Sequence, residues 1–260
     1  MKLPAAIRTD SGICRIDWAA YQGRKVLVWS HNDTWHSAVY ADERYRYEPV
    51  FVYEQKFDLA FRMNEGIRDI LMIGAGMYTY PASVLHRFAD TAVTAVEIDP
   101  SLRQLAEEYF FPDGIDRGQD LKSVTMDGRK YLEETDEKYD LIVFDAYDGI
   151  LPYGRLITQE AAILYREHLH EKGILTMNFP GVRQLQSSDM LLDELKTLTS
   201  VFSCVRVVRA AAKEAGDLCN YVIFASMSGI SAEGMLEYDL SSTVILKDRD
   251  AAHFHEFYQF

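Results

Sequence analysis

Apolar and polar positions change rhythm along the chain. Near the N-terminus the apolar runs are short and β-prone. Lys25 to Trp29 and Trp35 to Tyr40, joined by the turn-forming Ser30-His31-Asn32-Asp33-Thr34, read as two strands. A third run, Val50 to Tyr53, begins directly after Pro49 and predicts an edge or entry strand. From Ile70 onward, continuous apolar runs alternate with segments of helical spacing. The runs Ile70 to Ile73, Ala92 to Val96, Val124 to Met126, Leu141 to Phe144 and Ile174 to Phe179 predict strands, and Val205 to Val208 and Tyr221 to Ala225 complete the set. Their unbroken apolar character fits parallel strands covered on both faces. Helices are predicted from Pro81, over Leu102 to Phe110 behind Asp99-Pro100, over Arg129 to Glu134, from the cap Thr158 to His168 with Gly173 as breaker, and over Ser188 to Val201. This alternation predicts a doubly wound α/β fold with a mostly parallel seven-stranded sheet. A small β-rich unit over residues 1–55 precedes the larger domain of residues 56–260.

The stretch from Ile70 to Pro100 organises the rest. A strand ends in Gly74-Ala75-Gly76, a helix follows, and a second strand delivers Glu97, 21 residues after Gly76. Glycines let the backbone approach a ligand closely, and a carboxylate at the end of the second strand can accept the hydroxyls of a ribose. The third glycine of the dinucleotide fingerprint is absent, Thr79 standing in its place. Two further strands end in acids, at Asp127 and at Asp145, with Asp148 close behind. Strand ends in an open parallel sheet share one crevice. Glu97 would then take a ribose, Asp127 an adenine amino group, and Asp145 with Asp148 the reacting group. Tyr78, Tyr80, Tyr147 and Tyr153 add aromatic surface near the same ends, able either to face a cation or to pack the loops. His31 and His36 read as surface residues.

Composition narrows the classes. With 27 basic against 40 acidic residues in 260, the net charge is −13, which speaks against a nucleic-acid partner and suits a cationic small molecule. Cys14, Cys204 and Cys219 are widely spaced and form no CxxC pair, so neither a disulfide framework nor a metal site is expected, and a reducing cytoplasm is the default. No stretch approaches a membrane span, and the N-terminal residues lack the apolar core of a signal peptide.

The segments ILMIGAG, VEIDP, Met126-Asp127-Gly128, and FDAYDG followed by LITQEAAILYREHLHEKGIL resemble the spermidine synthase family of aminopropyltransferases, which shares the class I methyltransferase fold. The Phe51-Val52-Tyr53-Glu54-Gln55 stretch resembles the family's substrate-side tyrosine segment. The resemblance implies that Gly74, Gly76, Glu97 and Asp127 bind the nucleoside. It implies that Asp145 receives a proton from the attacking amine, that Tyr53 lines the amine's side of the site, where Tyr147 is also expected from its place at a strand end, and that the protein is dimeric or larger, a homodimer being expected. It also exposes a departure. The family's loop reads Gly-Gly-Gly-Asp-Gly-Gly, its Asp helping to bind the donor's ammonium. Met77 holds that position here, and Gly149 replaces the usual proline after Asp148.

Three functions follow as alternatives. The first is aminopropyl transfer from decarboxylated S-adenosylmethionine to a polyamine. The second is methyl transfer from S-adenosylmethionine, for which loss of the loop acid at Met77 makes sense because that donor carries its own carboxylate. The third is nucleoside binding without catalysis.

Overall fold

The computed structural model describes residues 3, 6–10, 12–31, 34–116, 120–148, 151–182, 184–185, 189–210 and 218–254. Strands β1 (Ile7–Thr9), β2 (Gly12–Tyr21), β3 (Arg24–His31) and β4 (Thr34–Tyr40) form an antiparallel sheet in chain order. The two expected runs are β3 and β4, whose connecting Asn32 and Asp33 lie outside the described residues. Strand β2 is additional. It buries Cys14 and Ile16 but leaves Ile13 60% exposed, and its polar Arg15 and Asp17 break up any apolar run. This alternation, which runs from Ile13 to Asp17, marks a stretch with one face to the core.

The expected strand Val50 to Tyr53 is instead the entry to helix α1 (Val52–Phe57), followed by α2 (Leu59–Met63). Two side chains turn the backbone. Glu54 Oε2 accepts the Phe51 N–H at 3.3 Å, and Gln55 Nε2 donates to the Pro49 carbonyl at 3.0 Å. An acid three residues into a helix reaching back to the capping N–H is a strong initiation device, and here it overrides β propensity.

Then come β5 (Asp69–Ile73), α3 (Thr79–Arg87), β6 (Ala92–Glu97), α4 (Ser101–Leu105), β7 (Asp120–Thr125), α5 (Gly128–Glu134) and β8 (Tyr139–Phe144). A short hairpin of β9 (Tyr147–Asp148) and β10 (Leu151–Pro152) leads to α6 (Gln159–Glu167), β11 (Leu169–Val182), α7 (Asp189–Thr199), β12 (Cys204–Ala210) and β13 (Leu218–Ser226). Helix α3 starts two residues before Pro81, and α4 continues into a π-helical turn, Ala106–Phe110. Thr158 caps α6 as expected, its Oγ1 accepting the Ala161 N–H. Gly173 does not separate helix from strand: β11 already starts at Leu169, and the glycine lies in the register shift between Leu169 and Ile174.

The large sheet has the order β12-β13-β11-β8-β5-β6-β7, with β13 antiparallel to both of its neighbours. The expected mostly parallel, seven-stranded, doubly wound sheet is therefore present. Its strands bury side chains on both faces. Ile70, Met72, Leu141 and Val143 join one apolar cluster, while Leu71, Ile73, Ile142 and Phe144 join the other. The first cluster also takes in Cys14, Ile16, Leu27, Trp29 and Val39, so the N-terminal sheet shares a core with one face of the large one.

Register fixes where the site falls. Ile73 lies opposite both Val96 and Phe144, and Glu97 opposite Thr125. Gly74, Glu97, Asp127 and Asp145 therefore emerge together at the C-terminal end. The order reverses between β5 and β8, the switch point at which open α/β sheets bind ligands. Among the described residues no helix is long and apolar enough to cross a membrane.

Candidate active site

A cavity of about 660 Å³ opens at this switch point, within the usual range for a small-molecule site. Its floor is the end of β5. Gly74 has φ +86°, and a Cβ there would stand 2.3 Å from the Asp145 carbonyl oxygen. Only glycine lets the loop pass so close to the end of β8. Gly76, at φ +51°, donates its N–H to Glu97 Oε2 at 2.9 Å. Glu97 also accepts the N–H groups of Ile98 and Asp99 through Oε1, at 2.8 and 3.1 Å. Burial raises the Glu97 carboxyl above its ordinary pKa, against the lowering pull of these backbone bonds. The acid thus ties the glycine loop to the end of β6 while facing the cavity. Asp127 caps α5, its Oδ1 accepting the Lys130 N–H at 2.9 Å, and it lines the same cavity.

Asp145 begins the other half. Asn178 Nδ2 donates to its Oδ1 at 2.8 Å, and Asn178 Oδ1 in turn accepts from Asn220 Nδ2 at 2.7 Å. Tyr53 adds a hydrogen bond to the same carboxyl, which burial pushes up to about 7 even though the Asn178 and Tyr53 bonds pull it down. Tyr147 lines the wall and donates its hydroxyl to the Asn178 carbonyl. Asp148 lies in β9; its side chain, like Gly149, is outside the described residues.

Glu54 is an acid that sequence reading did not single out. It is 2% exposed, lines the cavity, and accepts the Thr79 hydroxyl at 3.0 Å. Burial, with the Asp145 charge second, raises it to about 8. Its signal was the capping position three residues after Phe51. Asn178, a lone amide inside an apolar strand, was the other legible clue.

Two expectations need correction. Met77 does not face the cavity: it is fully buried in the core, and its N–H donates to Ser37 Oγ at 3.2 Å. Of the two roles open to the tyrosines, Tyr78 takes the packing one, buried with its hydroxyl paired to Ser123. His31 and His36 are not merely surface residues. Together with Trp29, Trp35, Asp10 and Tyr21 they line the end of the cavity built by the N-terminal sheet.

The described lining thus carries carboxylates from Asp10, Glu54, Glu97, Asp127 and Asp145, and no lysine or arginine. Among the described residues no group of three or more His, Cys, Asp or Glu is placed to hold a metal.

A doubly wound sheet with glycine loop, acid and crevice at its switch point defines a Rossmann-like fold of methyltransferase type. Residues 53–230 match the family model of the spermine/spermidine synthase domain, and the chain belongs to that family. It is 31% identical over 165 residues to a probable polyamine aminopropyl transferase of Bifidobacterium longum, covering 63% of this chain and 34% of that one. It is 25% identical over 190 residues to a polyamine aminopropyltransferase of Vibrio vulnificus, covering 72% and 58%. In structure it resembles a probable spermidine synthase from Corynebacterium glutamicum, with a TM-score of 0.74 at 16% identity over 89% of this chain and 83% of that one. The chain spans between about a third and three-fifths of the length of these two curated relatives.

Proposed function

We propose that the protein transfers an aminopropyl group from decarboxylated S-adenosylmethionine to a polyamine. The observation that carries this reading is the charge of the cavity: five carboxylates and no lysine or arginine among its described lining residues. Such a lining asks its ligands to bring the positive charge. Sulfonium and ammonium groups do so. An anionic acceptor would be repelled.

Glu97 would hold the ribose and Asp127 the adenine amino group, with Gly74 and Gly76 giving the nucleoside close access to the loop. Asp145 would stand beside the reacting carbon. In the reaction the acceptor nitrogen forms a bond to the propyl carbon attached to sulfur. The C–S bond breaks with its electron pair going to sulfur, and 5′-methylthioadenosine leaves. The nitrogen, now bearing an extra bond, gives its proton to Asp145. A carboxylate at its reference pKa near 3.9 is a weak base for an ammonium. Burial lifts Asp145 to about 7 against the lowering pull of its Asn178 and Tyr53 hydrogen bonds, which makes it a better acceptor at neutral pH. Tyr53 and Tyr147 would line the amine's path, and Asp148, three residues beyond Asp145, would add charge there.

The division of labour follows the chain: residues 1–55 would roof the amine end and lend Tyr53 and Glu54 to the site, and residues 56–260 would hold the nucleoside and Asp145. A cytoplasmic homodimer belongs to the same proposal, the dimer to be tested by light scattering. For the activity, the purified protein is incubated with decarboxylated S-adenosylmethionine and putrescine or spermidine, and products are weighed by mass spectrometry. Aminopropylated amine with an equivalent of 5′-methylthioadenosine is expected. A methylated amine formed from S-adenosylmethionine, with no aminopropylated product, would overturn the reading in favour of methyl transfer.

A further inference from the structure

The glycine loop from Gly74 to Thr79 carries no acid, and Met77 within it is turned into the core. A carboxylate nevertheless reaches this loop from elsewhere. Glu54 comes from the first turn of α1, and its Oε1 accepts the hydroxyl of Thr79, the residue that opens α3 directly behind the loop. The same carboxyl lines the cavity. It lies on the glycine-loop side, close enough to Asp145 for the two charges to oppose each other. Within the helix it also accepts the Phe51 N–H, a task that a glutamine amide oxygen can perform equally well. A capping role alone therefore does not call for a charged residue, and burying one is costly unless a cation meets it.

We propose that Glu54 receives the terminal primary ammonium of the aminopropyl donor, supplying from α1 the carboxylate that the glycine loop lacks. This rests on the aminopropyl-transfer reading and names the residue that selects its donor. A propylammonium tail placed there pairs with the ionised Glu54 and offsets its repulsion with Asp145. The tail of S-adenosylmethionine would bring a carboxylate of its own against these two buried acids and be disfavoured.

Binding separates this from a structural role. Affinities for decarboxylated S-adenosylmethionine, S-adenosylmethionine, 5′-methylthioadenosine and putrescine are measured by calorimetry for the wild type and for Glu54→Gln, in two buffers of different ionisation enthalpy. The variant should bind decarboxylated S-adenosylmethionine at least about tenfold more weakly, the usual size of a lost charge-assisted hydrogen bond. Affinity for 5′-methylthioadenosine, which has no ammonium, should stay within about twofold, roughly the scatter expected of a distant substitution. The proton that the wild type releases on taking up the ammonium near pH 7 should be lost with Glu54. Glu54→Asp should recover part of the affinity. Equal losses for decarboxylated S-adenosylmethionine and 5′-methylthioadenosine would make Glu54 structural and overturn the proposal. So would a loss confined to putrescine, which would place the acceptor there. If Glu54→Gln does not fold, Thr79→Val removes the hydroxyl that orients the carboxyl, and an unchanged preference between the two donors would again overturn it. Absence of aminopropylated product from the wild type would defeat the functional reading itself, a different result from any of these binding outcomes.

Discussion

The two halves of the cavity are built by opposite means. The half proposed for the nucleoside, with Gly74, Gly76, Glu97 and Asp127, comes from three strand ends that follow one another along the chain. Parallel register brings them level, and their polar groups are answered by backbone N–H groups: three on Glu97 and one on Asp127. The half proposed for the reaction, with Asp145, Tyr53, Glu54, Asn178 and Asn220, draws on β8, α1, β11 and β13. There side chains hold side chains across long sequence separations, and the two buried acids sit near 7 and 8. Acids answered by backbone N–H groups are held in place whether or not a ligand is present. Acids answered by burial and by each other are poised to change protonation when a cation arrives.

The largest effect is expected from Asp145→Asn. The amide keeps the shape and can still pair with Asn178 after a flip, but it cannot accept the proton. Turnover should fall by about 10²–10⁴, the usual worth of a positioned general base. Affinity for 5′-methylthioadenosine should change by less than about threefold, since the substitution leaves the nucleoside half untouched. Steady-state rates set beside calorimetry decide it. Wild-type turnover with the true acceptor would remove Asp145 from the chemistry.

The same contrast accounts for what was legible in the sequence. The strand–glycine–helix–strand–acid order from Ile70 to Glu97 and the acids after β7 and β8 could be read because each lies at the end of an apolar run. The sheet was readable for the same reason, its central strands being apolar on both faces. Strand β2 was not, because only every second residue is buried. Val50 to Tyr53 misled because Glu54 and Gln55 cap the chain into a helix that its apolar residues alone would not predict. Met77 misled in another way. Position along the loop placed it at the ligand, whereas packing against the N-terminal sheet turns it inward. The amine side, with His31, His36, Glu54 and Asn178, exists only once β3, β4, α1 and β11 are brought together, and no short motif records that.

Protonation gives a second test of the contrast. Asp145 and Glu54 have folded-state pKa values raised from 3.8 and 4.5 to about 7 and 8. Between pH 4 and 8 the folded protein therefore holds more protons than the unfolded chain, and stability must fall as pH rises. This contribution is fully present below the unfolded pKa values and is lost as pH passes through the folded ones. The thermal midpoint without ligand should decline by several degrees between pH 5.5 and 8, at roughly 2–4 °C per kcal/mol for a chain of this size. Glu54→Gln should flatten the decline, whereas a profile that rises across this window would mean that the two acids are not buried as described.

A smaller loss is expected from Glu97→Ala. The proposed ribose contact is charge-assisted, worth about 1.5–3 kcal/mol per hydrogen bond, which corresponds to at least roughly tenfold in 5′-methylthioadenosine affinity. The glycine loop also loses its tether from Gly76 to Glu97, so Glu97→Gln, which keeps an acceptor for that N–H, should lose less. Equal affinity of Glu97→Ala and the wild type in calorimetry would show that the acid serves only the loop.

The smallest effect, and the most specific, belongs to Asp127. Its Oδ1 caps α5, so Asp127→Ala would mix a lost cap, worth about 0.5–2 kcal/mol of stability, with any loss of binding. Asp127→Asn separates the two. Asparagine caps a helix about as well as aspartate, so the melting temperature should hold to within about a degree for a change of a few tenths of a kcal/mol. The change at the base is one of polarity. Where the carboxylate can accept from the adenine amino group, the asparagine amide nitrogen can only donate. Placed against adenine it sets donor against donor, and 5′-methylthioadenosine should bind several-fold more weakly, the cost of roughly 1 kcal/mol for one mismatched exposed hydrogen bond. Placed against 5′-methylthioinosine, whose ring carbonyl accepts, the same amide should gain what it lost. The ratio of the two affinities is therefore the reading to take, because a general disturbance of the loop moves both ligands together. If Asp127→Asn shifts neither ratio nor stability, Asp127 is only a helix cap, and base recognition falls to other residues of the wall such as Ile98 and Met126.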